Sequence, residues 1–146
     1  MTVSVDEAHE VDLDLVSAFT RLVPQLSSSS QPPTADDLAE VIADPGNTVF
    51  VARADDGRIV GTTTLATFRI PTGMRAWIED VVVDEAARGL GAAKALTAAA
   101  LDKARSLGCR TVDLTSRPSR EAANQLYKTM GFEQRDTNVY RFTLDG

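Results

Sequence analysis

The sequence predicts an α/β chain built on a mixed β-sheet flanked by about four helices. Three observations lead there. Apolar, β-branched segments separated by Asp/Gly and Pro/Gly turns recur between residues 48 and 83, the pattern of an antiparallel meander. The last of these segments, ending Val81-Val82-Val83, runs into a glycine-containing turn and an alanine-rich stretch with helical periodicity. A further apolar segment, residues 110–115, follows that helix. A strand reached through a helical crossover can lie parallel to the one it left, which makes the sheet mixed.

In chain order, residues 2–5 are a short candidate strand. Val11, Leu15, Ala18, Phe19 and Leu22 recur at helical spacing, and Pro24 is expected to end that helix. Residues 27–33, Ser-Ser-Ser-Ser-Gln-Pro-Pro, form a polar loop, either a flexible connector or a mobile cover for a substrate. Thr34 with Asp37 is a helix cap, Leu38, Val41 and Ile42 are the buried stripe behind it, and Asp44-Pro45-Gly46 stops the helix. Strands follow at 48–53, 58–68 and 75–83, joined by Asp55-Asp56-Gly57 and Pro71-Thr72-Gly73. Ala93, Leu96, Ala100, Ala104 and Leu107 line one face of the next helix, which ends at Gly108. Ser119 is a candidate cap for a last helix carrying Ala123, Leu126, Tyr127 and Met130, with Gly131 as terminator. The alternation over residues 139–144 reads as a final strand. No repeat or linker divides residues 1–146, so one domain is expected.

Composition narrows the function. With 43% hydrophobic and 25% charged residues, the chain has the make-up of a soluble globular protein. No apolar run approaches the roughly 20 residues of a membrane span. Acidic Asp6, Glu7 and Glu10 are unlike a secretion signal. The lone Cys109 allows no internal disulfide and suits a cytoplasmic protein, and with the lone His9 it cannot build a zinc site, so no metal is expected. A net charge of −6 disfavours nucleic acid as partner and is compatible with cationic amines.

The turn after the third strand is the densest signal. Strand, glycine turn and helix start together present unpaired main-chain N–H groups at the positive end of a helix dipole, an arrangement suited to phosphate. A dinucleotide fingerprint is a weak match, because Lys94 occupies the third glycine's place and residues 84–88 separate strand from Gly89, although Asp113 is suitably spaced for a ribose. The Gly-Lys-Ser/Thr of a nucleoside-triphosphate loop is missing. A small dinucleotide-dependent oxidoreductase is therefore a distant alternative.

Arg88, Gly91 and Ala93 resemble the Arg/Gln-X-X-Gly-X-Gly/Ala pyrophosphate loop of the GNAT N-acetyltransferases, and Leu126-Tyr127-Lys128-Thr129-Met130-Gly131-Phe132 resembles that superfamily's Leu-Tyr-X-X-X-Gly-Phe. The resemblance extends over residues 49–144. It implies a GNAT-like fold with a splayed sheet and transfer of an acetyl or other short acyl group from acetyl-coenzyme A to a primary amine of a small molecule or peptide, by a monomer or homodimer. It assigns Arg88, Gly89, Leu90, Gly91, Ala92 and Ala93 to the cofactor's pyrophosphate, and the backbone of Val81, Val82 and Val83 to its pantetheine arm and thioester carbonyl. Tyr127 becomes the acid that protonates the departing thiolate, its inner face turned to the gap beside the third strand. Glu79 becomes the base toward the amine, as in the Ile-Glu-Asp of polyamine and glucosamine-phosphate acetyltransferases; strand alternation would send Glu79 and Asp80 to opposite faces. An asparagine that the family often carries seven residues before the tyrosine is Arg120 here, and Asn124 is the candidate substitute. Direct transfer needs no covalent nucleophile. A domain that senses acyl-coenzyme A without turnover would keep the glycine loop and have no use for Glu79 or Tyr127.

Overall fold

A computed structural model describes residues 2–145. They form two compact units, one running to Leu114 and one starting at Thr115. In the first, strand β1 (Ser4–Glu7) is followed by helices α1 (Leu13–Leu26) and α2 (Ala35–Ala43), strands β2 (Asn47–Arg53), β3 (Ile59–Ile70) and β4 (Gly73–Val83), a single 3-10 turn (Glu85–Ala87), helix α3 (Ala92–Ser106) and strand β5 (Thr111–Asp113). The sheet order is β1-β2-β3-β4-β5. Its first three pairings are antiparallel, and β5 lies parallel to β4. This is the mixed sheet expected from a meander plus one helical crossover.

Local chemistry explains the helix boundaries. Asp12 caps α1, its Oδ1 accepting from the Leu15 N–H at 2.8 Å. Thr34 and Asp37 make a reciprocal capping box at the start of α2, satisfying two N–H groups that have no partner inside the helix. Pro24 does not end α1. It lies inside the last turn, where its missing N–H forfeits one bond, and the helix closes only when Ser27 N–H reaches the Val23 carbonyl.

Packing then fixes the layers. Leu15, Ala18 and Leu22 of α1 and Leu38 of α2 join Val51, Ile59 and Val82 in one buried cluster. Helix α3 packs on β2, β3 and β4. Its buried residues are Ala92, Leu96, Thr97, Ala100 and Ala104, and their small size lets the helix approach closely. Gly61 makes room for it, since a Cβ there would come within 3.2 Å of Leu96 Cδ1. Leu22 and Leu96 are fully buried. Each such side chain contributes about 1.5–3 kcal/mol relative to exposure.

The second unit contains helix α4 (Glu121–Thr129). Arg120, not Ser119, stands at its N-cap, and no side chain caps it there. Instead Asn124 donates Nδ2 to the carbonyls of Arg117 and Arg120, at 2.9 and 2.8 Å, drawing the entering chain onto the helix. Residues 139–144 form no strand: Val139, Tyr140, Phe142 and Leu144 are largely exposed. Alternation supplies only the side chains of a strand; without a hydrogen-bonded neighbour the backbone has nothing to pair with. Among the described residues no helix is long and apolar enough to cross a membrane.

Candidate active site

Strand β4 changes character half-way along. Its register with β5 runs from Arg75–Thr111 to Trp77–Asp113 and stops. Beyond that, its β5-side edge has no strand partner among the described residues. On the other side the register with β3 slips between Thr62–Val82 and Thr64–Glu79, so that Asp80 and Val81 stand opposite Thr63 alone. This is a β-bulge. Asp80 sits at its centre with φ +54°, the one non-glycine residue with positive φ among those described. Holding a side chain there costs about 1–2 kcal/mol. Thr63 Oγ1 donates to the Glu79 carbonyl at 3.0 Å and pins the bulge from β3.

The bulge interrupts the regular strand directly after Glu79. Glu79 and Asp80 are both exposed, and Asp80's charge acts on Glu79. Desolvation first, and Asp80 second, push the Glu79 carboxyl above the usual glutamate range. Glu79 makes no ion pair among the described residues, and Arg75 of the same strand donates Nη2 to Thr72 Oγ1. A carboxylate with raised proton affinity is the kind of group that can serve as a general base toward a cationic amine. Val82 is buried, while Val81 and Val83 are half-buried beside the unpaired edge.

Past the bulge the chain enters the glycine turn. Gly89 and Gly91 adopt φ +90° and +79°. Gly91 is the N-cap of α3 and has no side chain to cap it. No protein acceptor is bonded to the N–H groups of residues 89–94 among those described. A Cβ on Gly89 or Gly91 would meet nothing within 4 Å, so no protein atom packs against the turn where such a side chain would stand. The 15-residue α3 adds its dipole at that end. Arg88, Gly89, Leu90, Gly91, Ala92 and Ala93 thus form one continuous turn into α3 whose main-chain N–H groups have no protein acceptor among the described residues, with Arg88 exposed at its start.

What holds the cradle's entrance was not anticipated from sequence. Asp84, the residue after β4, is 5% exposed. Its N–H bonds the Val60 carbonyl at 2.8 Å. Its Oδ1 accepts from Ala86 N–H at 3.2 Å, and its Oδ2 from Arg21 Nε and Arg58 Nη2, both at 3.1 Å. Arg21 also donates Nη2 to the Ile59 carbonyl, and Gln25 Oε1 accepts from Glu85 N–H at 2.9 Å. Burial opposes ionisation of Asp84, yet the Ala86 N–H, Arg21, Arg58 and Gln25 together outweigh it and hold the carboxyl below the usual range. An acidic residue directly between an apolar strand and a glycine turn was the available clue.

In the second unit, the end of α4 gives a physical meaning to Tyr127-X-X-X-Gly131-Phe132. Gly131 takes φ +103°. Its N–H bonds the Lys128 carbonyl at 3.1 Å, and Phe132 N–H bonds the Tyr127 carbonyl at 3.0 Å. This is a Schellman close, which brings the residue after the glycine back onto the helix's last turn. Phe132 accordingly packs edge-on against Tyr127, ring centroids 5.6 Å apart. Tyr127 is buried, and burial raises its hydroxyl pKa, with Arg120 pulling modestly the other way. The phenol therefore stays protonated at neutral pH. Asn124 has its amide nitrogen committed to two carbonyls, which leaves only Oδ1 for another partner.

Comparison with known proteins decides the family. The model of the Acetyltransferase (GNAT) family matches residues 15–132. The chain belongs to the GNAT acetyltransferase family. An aminoglycoside N(6')-acetyltransferase type 1 from Stenotrophomonas maltophilia is 32% identical, over 74% of this chain and 76% of that protein. An acetyltransferase structure from Trypanosoma brucei superimposes with TM-score 0.77 at 29% identity, covering 97% of this chain and 99% of the other. An aminoglycoside acetyltransferase from an uncultured soil metagenomic sample shares the fold, with TM-score 0.85 at 20% identity over 98% and 97% of the two chains. The GNAT fold and N-acetyltransferase class implied by the two sequence motifs are thereby established, and acetyl-coenzyme A is the family's co-substrate.

Proposed function

We propose that this enzyme transfers an acetyl or other short acyl group from its coenzyme A thioester to a primary amine of a small molecule or peptide, with residues 1–146 acting as one catalytic domain. The observation that carries the reading is the sequence of features along one strand: loss of the β5 partner after Trp77, the strained bulge at Asp80, then the open N–H cradle of residues 89–94. A pyrophosphate in the cradle is compatible with an arm running along the unpaired edge, hydrogen-bonded to the backbone of Val81, Val82 and Val83. The thioester carbonyl then ends beside the bulge.

There the amine nitrogen attacks the carbonyl carbon. Glu79, directly or through a water, takes the proton the amine must lose, and its raised pKa suits it to the task. Main-chain N–H groups of the β4 edge stabilise the developing oxyanion. The attacking nitrogen gives up its second proton to solvent, the C–S bond breaks, the thiolate takes a proton from the Tyr127 hydroxyl, and solvent returns one to the phenolate. Asn124's contribution to the cofactor is limited to acceptance by Oδ1.

The acidic Glu79–Asp80 pair and the net charge of −6 favour cationic acceptors. The similarity to an aminoglycoside N-acetyltransferase makes polycationic amino sugars the first class to assay. The test is a screen of aminoglycosides, polyamines, amino acids and peptide N-termini with acetyl-coenzyme A, reading the acetylated product by mass spectrometry. Amine-dependent product is expected; hydrolysis of acetyl-coenzyme A at one unchanging rate with every acceptor would refute the reading.

A further inference from the structure

We propose that Asp84 is the positioning residue of the cofactor loop: held by Arg21 of α1 and by Arg58 just before β3, with Gln25 of α1 holding the next residue, it aims the free N–H groups of residues 89–94 at the pyrophosphate. The inference rests on the cradle reading above and extends it to residues outside the cradle that contact no ligand themselves.

The argument begins with what the loop lacks. Its exit is fixed by α3, but residues 89–91 donate no main-chain hydrogen bond to the protein among those described, and a side chain on Gly89 or Gly91 would touch nothing. Their orientation must therefore be set upstream. Upstream, every anchor converges on Asp84 and its neighbours. The carboxylate closes the 3-10 turn through Ala86 N–H, the Asp84 carbonyl takes Ala87 N–H at 2.9 Å, and Gln25 takes Glu85 N–H. Asp84 in turn is fastened to α1 by Arg21 and to β3 by Arg58.

The chemistry is specific. A carboxylate 8% exposed at its side chain is held by two guanidiniums, which are 31% and 50% exposed. Charge-assisted bonds to a buried acceptor are stronger and more directional than neutral ones. Arg21 bridges two acceptors, Asp84 Oδ2 and the Ile59 carbonyl, a fork that lysine's single ammonium cannot reproduce at both points. One carboxylate against two guanidiniums also leaves the base of the loop net positive, which favours the anion it serves. Gln25, one turn beyond Arg21 on the same face, adds a second tie from α1.

The experiment measures affinity per folded molecule for two ligands. Coenzyme A is titrated calorimetrically into wild type, Asp84→Asn, Arg21→Lys and Gln25→Ala, each shown to be folded by circular dichroism. Turnover is measured in parallel with acetyl-coenzyme A and with S-acetylpantetheine, which carries the same thioester and arm without the pyrophosphate. Asp84→Asn should weaken coenzyme A about ten- to a hundredfold and raise the acetyl-coenzyme A KM, leaving kcat within about threefold. Its kcat/KM for S-acetylpantetheine should match wild type. Arg21→Lys should fail to restore full affinity, and exposed Gln25→Ala, which stays measurable if Asp84→Asn does not fold, should weaken coenzyme A several-fold. Equal loss toward both thioesters, or unchanged or tighter coenzyme A binding in the folded variants, would overturn the assignment. Failure of wild type itself to bind coenzyme A would instead refute the cradle reading beneath it.

Discussion

Replacing Gly91 by alanine separates stability from cofactor binding. At φ +79° an alanine is held in the left-handed region, at about 1–2 kcal/mol. No steric term adds to this, since the new Cβ has no protein atom within 4 Å. Against a total stability of about 5–15 kcal/mol the fold survives, with Tm lower by about 3–8 °C. Coenzyme A should suffer more. A side chain here hinders the close approach of pyrophosphate to the main chain, and loss of even one charge-assisted hydrogen bond costs about 1.5–3 kcal/mol, roughly ten- to a hundredfold in Kd. Gly108 is the matched control. It lies just past the other end of α3 with φ +77° and an equally empty surround. Gly108→Ala should therefore lower Tm by a similar amount and leave Kd unchanged. Thermal unfolding and calorimetric titration of both variants are the assay. The reasoning is refuted if folded Gly91→Ala binds coenzyme A like wild type, or if both variants lose affinity alike.

Glu79→Gln should lower turnover most at acidic to neutral pH, and the deficit should shrink as the amine loses its proton unaided; a pH-rate profile reads this. The same variant should not lose stability. Because the folded pKa of Glu79 is raised, its carboxyl favours the fold below the unfolded value and loses that advantage as pH rises through the folded one. At neutral pH the glutamine variant should then melt at or above the wild-type temperature, and a clearly lower Tm would mean that the carboxylate is a structural partner. Tyr127→Phe keeps the ring packed on Phe132 and removes the donor, so coenzyme A affinity should hold while single-turnover rates fall roughly ten- to ten-thousand-fold; unchanged rates would return Tyr127 to core packing.

Much of this was legible because it is written in local chemistry. The capping box at Thr34 and Asp37, the hairpin turns and the glycine turn before α3 each depend on residues close in sequence, and each was found where the pattern put it. The parallel β5 followed from the helical crossover, although only three of its residues pair. Two local errors came from treating a residue as a switch. Pro24 fits a helix's last turn, where one lost bond is tolerable, and Ser119 yields the N-cap position to Arg120 because Asn124 secures the entering chain from within the helix. The bulge was invisible. Nothing in Ile-Glu-Asp-Val announces that Asp80 will adopt positive φ, since its register is set by β3 across the sheet. Asp84 was hidden for a similar reason: its partners Arg21 and Arg58, and the Gln25 that holds the neighbouring Glu85 N–H, come from distant parts of the chain. The supposed last strand shows the converse, an alternation with no neighbour to pair with.

The central claim is direct transfer, with donor and amine held together and no acyl group resting on the protein. Intact-mass spectrometry with simultaneous detection of free coenzyme A thiol tests it. The enzyme mixed with acetyl-coenzyme A alone should keep its mass and release no thiol beyond background hydrolysis. Adding an accepted amine should release thiol in one-to-one proportion to acetylated amine, with the protein still unmodified. A burst of thiol without amine, matched by an acetyl group appearing on the protein, would contradict the account.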